Sequence, residues 1–105
     1  MKKKMSVSHF NGVHEEVQDL KPGAAMLLDA FTTIAERGRD YGPILKNHER
    51  IAALWSTLLD HPVTPVQVAM CMTALKLSRL METPDHADSA VDIAGYAACI
   101  RECQK

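Results

Sequence analysis

A chain of 105 residues has room for one domain built around a single hydrophobic core. Its 47% of hydrophobic and 24% of charged residues are ordinary for a soluble globular protein, and a formal net charge of -1 argues against a protein that coats nucleic acid. No apolar run is long enough to span a bilayer, so we expect a cytoplasmic protein whose partners include neither membranes nor nucleic-acid polymers.

The start of the chain is polar and lacks a regular hydrophobic period. We predict that residues 1–22 form a flexible or loosely docked extension and that residues 23–105 form a helical domain. The lysines at positions 2–4 are not followed by an apolar segment, so we expect no signal peptide.

Beyond this extension, apolar residues recur at helical spacing. The first predicted helix covers residues 24–37, and Gly38 is expected to end it as a C-cap. A loop over residues 38–43 follows, with two glycines and a proline. The second predicted helix covers residues 44–59, and Pro62 interrupts the chain after it.

The third predicted helix has a strong start signal. Thr64 is the expected N-cap, Pro65 takes the first helical position, and Gln67 completes a capping box. The helix runs to about Glu82 and is apolar on two sides. We therefore expect it to be the central helix of the domain, with Cys71 in its buried part.

The fourth predicted helix begins at Asp85 or Asp88, ends near Gln104 and is rich in small residues. Gly95 in its middle costs about 1 kcal/mol relative to alanine, which the close approach of another backbone would explain. Four helices joined by short loops predict an all-α fold, a small four-helix antiparallel bundle. Helices that are apolar on two sides often bury the second side in an oligomer, so we also expect a homo-oligomer.

Four charged residues lie in otherwise apolar parts of the last two helices. Lys76 and Arg79 are three residues apart, and Asp88 and Asp92 are four apart. In an antiparallel hairpin, Arg79 comes level with Asp88, and Lys76 comes level with Asp92. One interpretation is an internal network of two ion pairs, because an unpaired buried charge is costly. The other is a polar cleft in which the cations bind phosphate and the aspartates hold Mg²⁺ or orient a ribose.

The predicted loop after the first helix is a second candidate region. It brings Arg37, Arg39, Asp40 and Tyr41 within five residues. Arginine suits bidentate contact with phosphate and tyrosine can stack on a base, so all four are candidate ligand-binding residues. The alternative is an ordinary helix end, where the helix dipole favours arginine.

Other reactive residue types carry weaker signals. His48 and Trp55 lie on the apolar stripe of the second helix, and we interpret both as interior residues. The three cysteines, Cys71, Cys99 and Cys103, have neither disulfide nor zinc spacing and are expected in the core. No motif for nucleophilic catalysis is present.

The order of motifs resembles a family of small phage and prophage proteins of unknown function. The segments "ERGRDYGPILKNHERIAALWSTLL" and "VTPVQVAMCMTALKLSRLMETPDHADSAVDIAGYAACI" carry the resemblance. Its shared elements are R-x-x-DYG, a Trp-containing helix, TP-x-QVA-x-CM, K-x-x-R and D-S-x-x-D-x-AGYA. The resemblance spans about residues 34–102 and implies a phage protein, without transferring a biochemical function.

The last helix is also similar, more distantly, to the last helix of MazG-like all-α nucleotide pyrophosphohydrolases, which hold Mg²⁺ with acidic motifs on two helices. This resemblance implies a metal-binding role for Asp92, with Asp88 and Asp40 as further candidate ligands. The chain departs from the pattern at Ser89, where those enzymes have an acid. Its third helix also presents cations where those enzymes need carboxylates.

These observations lead to three hypotheses for function. The first is a protein that binds, and sequesters, a nucleotide or another phosphorylated small molecule. The second is a MazG-like Mg²⁺-dependent nucleotide pyrophosphohydrolase, and the third is a phage protein that inhibits a host defence protein by direct contact. The incomplete set of acidic metal ligands favours binding over catalysis.

Overall fold

The computed structural model describes residues 20–105. In this part of the chain the regular structure consists of four helices: α1 (Pro22–Tyr41), α2 (Ile44–Leu59), α3 (Pro65–Glu82) and α4 (Ala87–Cys103). The helices pack against one another as a bundle, which confirms the predicted all-α fold class. None of the four combines the length and the hydropathy needed to cross a membrane. The predicted extension falls mainly on residues 1–19, outside the described residues.

α1 is longer than the sequence predicts, because it begins at Pro22 and continues through Gly38. It ends at Gly42, whose φ of 79° lies in the left-handed region that favours glycine, and a proline follows. The prediction of a loop over residues 38–43 is therefore wrong. Arg39 and Asp40 instead lie in the last turn of α1.

α2 has the bounds that its periodicity predicts. It ends where Asp60 adopts the left-handed conformation, with its N–H donating to the carbonyl oxygens of Ser56 and Thr57. Ser56 also stabilises the following loop, because its Oγ accepts a hydrogen bond from the Val63 N–H at 2.8 Å. These bonds fix the turn that leads into α3.

The start of α3 confirms the predicted capping box. The Gln67 N–H donates to Thr64 Oγ1 at 3.1 Å, and the Thr64 N–H donates to Gln67 Oε1 at 3.0 Å. Two N–H groups that the helix cannot satisfy internally are thus satisfied by side chains. Pro65 takes the first helical position, where it has no N–H to lose.

α4 begins one residue after a histidine cap. His86 Nδ1 accepts a hydrogen bond from the Ser89 N–H at 3.2 Å and lies 2.7 Å from Ser89 Oγ. The Ser89 side chain is fully buried beneath this cap. The start at Ala87 falls between the two predicted starts, Asp85 and Asp88.

The central helix is α4, and the prediction that α3 occupies this place is wrong. α4 contacts all three other helices, with α3 as its most extensive neighbour. α3 packs against α4 and α2 and leaves Met70, Leu75 and Leu77 half-exposed. Cys71 is exposed as well, and is not the core residue that the sequence predicts.

Candidate ligand-binding cleft

A cleft of about 380 Å³ opens between α1 and α2. α4 lines it with Asp92, Gly95, Tyr96 and Cys99, among others, and Met72 of α3 is part of its lining. The cleft exists because α1 and α2 touch at few positions, although both pack on α4. Its size falls within the range of roughly 300–1,000 Å³ that is typical of small-molecule sites.

The cleft wall is mainly apolar. Ile34 of α1, Ile51 and Trp55 of α2, and Val91 of α4 all line it. Trp55 is half-buried, so the expectation of an interior residue is corrected to a residue of the cleft wall. Its indole offers a flat apolar surface with one N–H donor.

Two glycines within helices help to keep the cleft open. Gly38 and Gly95 both line it, and a Cβ atom at either position would meet nothing within 4 Å. The expected close approach of another backbone at Gly95 is therefore wrong. The missing side chains leave space for a ligand at the helix surface.

His48 is the most deeply buried polar residue of the cleft, with 6% of its surface exposed. Its Nδ1 lies 3.0 Å from the Ile44 carbonyl oxygen. A carbonyl oxygen can only accept, so Nδ1 carries a proton, and Nε2 is an acceptor in the neutral imidazole. His48 is thus an interior residue, as predicted, and also a polar group of the cleft.

The predicted ion pair between Lys76 and Asp92 is confirmed. Lys76 Nζ lies 3.1 Å from Asp92 Oδ2, and the two side chains are 18% and 23% exposed. Asp92 lines the cleft, and Lys76 on α3 pairs with Asp92 without being part of the lining. The pair explains how a carboxylate is tolerated in a largely apolar wall.

The second predicted pair does not form. Arg79 and Asp88 are both exposed, and no ion pair joins them. Asp88 lies in the first turn of α4 and Arg79 in the last turn of α3. Each charge is favoured there by the dipole of its own helix and by water, so neither needs the other.

The residues predicted as a ligand-binding loop lie at the C-terminal end of α1, and the cleft does not use them equally. Arg37 lines the cleft from its exposed rim. Arg39 and Asp40 are exposed and do not line it, and Tyr41 is the last residue of the helix. Among the candidate residues whose side chains the structure describes, Arg37 and Asp92 are the two that the cleft brings together.

Asn47, Tyr96 and Cys99 are among the cleft residues that sequence reasoning missed. A signal for two of them was present, since Asp92, Tyr96 and Cys99 follow one another at i, i+4 and i+7 on α4. A row of polar groups at this spacing marks one face of a helix. Reading the row as a whole would have predicted the cleft side of α4.

The cleft thiol is unreactive near neutral pH. Burial raises the pKa of Cys99, the neighbouring Cys103 and Glu102 raise it further, and Arg37 opposes them. The pKa of Cys103 is raised by burial and by Glu102 and Glu49. Because the thiolate is the nucleophile, neither residue suits covalent catalysis.

The described residues do not assemble a metal centre. Within residues 20–105, no group of three His, Cys, Asp or Glu side chains could hold a metal ion. Asp88 and Asp40, the further candidate ligands, are exposed and do not line the cleft with Asp92.

Comparison with known proteins places this fold in a family. Residues 25–104 match the model described as a domain of unknown function, DUF6378. The Gene 55 protein of Mycobacterium phage L5 is 46% identical over 70 residues, covering 66% of this chain and 45% of that protein. The Gene 55 protein of Mycobacterium phage D29 is 38% identical over 65 residues, covering 62% and 43%.

The chain therefore spans less than half the length of these curated relatives, and no solved structure matches it. The predicted resemblance to phage proteins of unknown function is confirmed. Since the family model takes in well over half of the residues, the protein belongs to the DUF6378 family.

Proposed function

We propose that the cleft binds a nucleotide or a related phosphorylated small molecule and retains it without cleavage. The observation that carries the proposal is the lining of the cleft, which joins an apolar wall containing Trp55 to a cation at the rim, Arg37. A nucleotide has the matching division into a flat base and an anionic phosphate.

The apolar wall favours the base. An aromatic ring placed against Trp55 gains from burial and from stacking. Ligand sites of this kind use few polar groups to fix orientation, and Asn47 and His48 supply such groups here. The His48 Nε2 acceptor and the Asn47 amide can together recognise donors and acceptors on a base edge.

Arg37 suits the phosphate. Its guanidinium can donate two parallel hydrogen bonds to phosphate oxygens, a geometry that lysine cannot reproduce. Its place at the rim lets a charged group stay partly hydrated while the base enters the cleft. The cost of transferring the phosphate charge out of water is thereby kept low.

Asp92 suits a ligand hydroxyl, such as that of a ribose. Its carboxylate can only accept, and Lys76 Nζ at 3.1 Å offsets the repulsion between this carboxylate and an anionic ligand. We assign Lys76 a positioning role in this scheme. Arg39, Asp40, Arg79 and Asp88 remain predictions from sequence that the cleft geometry does not use.

The acidic residues available to bind Mg²⁺ favour retention of the nucleotide over its hydrolysis. Cleavage of a nucleotide by the MazG-like route needs several carboxylates converging on Mg²⁺. Asp92 is paired with a lysine, and the other acidic candidates lie outside the cleft. A phage protein that retains a nucleotide could lower the free concentration of a host signal.

A depletion experiment tests the proposal. The purified chain is mixed in near-stoichiometric amounts with a panel of nucleotides, including cyclic dinucleotides and NAD, in the presence of Mg²⁺. The free ligand is chromatographed after filtration, and again after the protein is denatured. We expect one ligand to disappear and to return intact. Return of cleaved products would contradict retention, and a panel that stays free would contradict the proposal.

A substitution locates the bound ligand. Gly95→Leu adds a side chain to the cleft at a position where its Cβ meets nothing within 4 Å, and it replaces a poor helix former with a good one. We expect it to reduce binding at least tenfold without loss of stability, measured by the fluorescence of Trp55, the single tryptophan. Gly23→Leu, in α1 and away from the cleft, is the matched control. Unchanged binding by Gly95→Leu would place the ligand elsewhere.

A further inference from the structure

One exposed side of α3 is uncharged over most of the helix. It is formed by Met70, Cys71, Ala74, Leu77, Ser78 and Met81, hereafter the α3 face. Met70, Leu77 and Met81 are 55%, 50% and 84% exposed. Lys76 is the one charged residue between Pro65 and Ser78, and its Nζ is turned toward Asp92. Exposed apolar residues that are contiguous along a helix mark an interaction surface.

The α3 face has the pattern of a helix–helix contact. Met70, Ala74, Leu77 and Met81 follow at alternating spacings of four, three and four residues, which places them in one row along the helix. The small residues on this face leave a groove beside the larger ones. Large side chains of a neighbouring helix can lie in such a groove.

We propose that the α3 face binds the α3 face of a second copy of this chain, with the two helices antiparallel about a two-fold axis near Ala74. α3 spans Pro65–Glu82, so its midpoint lies between Thr73 and Ala74. An axis at this midpoint brings Leu77 level with the partner's Met70, and Met70 level with the partner's Leu77. The same row of apolar side chains is then buried on both copies, as an isologous interface requires.

Charge complementarity favours this occupant and this direction. The first turn of α3 contains no acidic residue, although the positive end of the helix dipole lies there. The last residue of α3, Glu82, is exposed. An antiparallel pair brings each Glu82 to the N-terminus of the partner's α3. A parallel pair would place two Glu82 carboxylates side by side, where they repel.

Charge substitutions at the centre of the α3 face test the pairing. Ala74 is exposed, so glutamate or lysine at this position keeps the helix and its packing on α4. Next to a two-fold axis, however, residue 74 of one copy lies near residue 74 of the other. We expect wild-type protein to sediment with a mass near twice 11.6 kDa. Each variant measured alone, Ala74→Glu or Ala74→Lys, is expected to sediment as a monomer. An equimolar mixture of the two variants is expected to recover the dimer.

Controls separate this surface from general effects of charge. Ala53→Glu places the same charge on an exposed site of α2 and is expected to leave the dimer intact. Glu82→Gln is expected to raise the dimer dissociation constant about two- to fivefold, and less at high salt. A wild-type monomer at all concentrations would overturn the proposal. So would a dimer that persists in Ala74→Glu, or a mixture that stays monomeric.

Discussion

At the residue scale, the pairing of charges was partly predictable. The register of an antiparallel hairpin correctly placed Lys76 beside Asp92, because short loops leave little freedom in how two helices align. The same register argument failed for Arg79 and Asp88. Those residues lie at helix ends, where water and the helix dipole already stabilise a charge. Register predicts which residues are level, while burial decides which of them must pair.

The Lys76–Asp92 pair makes a prediction about stability. Lys76→Met leaves the Asp92 carboxylate partly buried without its partner. Because both side chains are about one-fifth exposed, we expect a loss between the surface and buried limits, about 1–2 kcal/mol. Thermal denaturation measures it, with Lys46→Met on the exposed side of α2 as control. Equal melting temperatures for the two variants would show that the pair contributes nothing.

At the element scale, three of the four helices were predicted closely, and the end of α1 was not. Gly38 and Gly42 are both plausible helix ends in the sequence. Gly42 ends the helix because a proline follows it and cannot donate an N–H to continue the ladder. Gly38 is followed by Arg39, whose N–H can continue the ladder, so α1 continues through Gly38. Arg37 therefore lies within the helix and lines the cleft.

The two glycines therefore respond oppositely to alanine. Gly38→Ala adds a Cβ in open space within a helix, so we expect it to raise the free energy of unfolding by about 0.5–1 kcal/mol. Gly42→Ala forces a left-handed φ on a residue with a Cβ, so we expect a loss of about 1 kcal/mol or more. Urea denaturation of both variants gives the sign of each change in the free energy of unfolding. A reversed order would mean that the helix ends at Gly38.

At the scale of the whole molecule, the sequence predicted the bundle but not its centre. Periodicity shows which sides of a helix are apolar, and it does not show which neighbour covers each side. α3, which is apolar on two sides, was therefore assigned the place that α4 occupies. The cleft was also unpredictable, because it depends on how far α1 and α2 stand apart on α4, a property of packing and not of either helix alone.

Burial of the two α4 thiols predicts a loss of stability in alkali. Cys99 and Cys103 have folded-state pKa values above their ordinary value of 9.0. Above pH 9 the unfolded chain releases these protons first, so the free energy of unfolding falls as pH rises, and this contribution is intact below pH 9. We expect the Cys99→Ala/Cys103→Ala variant to lose less stability between pH 8 and about pH 10.

Urea denaturation at several pH values measures this difference. Cys71→Ala is the matched control, because it removes a thiol from α3 and leaves both α4 thiols in place. An identical pH dependence for wild-type protein and the double variant would contradict the assignment of this effect to the thiols.

Under the proposed function, the Lys76–Asp92 ion pair also limits the charge of the ligand that the cleft can bind. Among the described residues that line the cleft, Arg37 and Asp92 carry the formal charges, and Lys76 cancels that of Asp92. One positive charge remains for the ligand. A phosphate monoester carries about -1.5 to -2 charges at pH 7, so this one cation offsets only part of its charge. Each further phosphoryl group of a triphosphate would add anionic charge that no cation among the described cleft residues neutralises. Under the proposed function, the cleft therefore favours ligands that carry few phosphoryl groups.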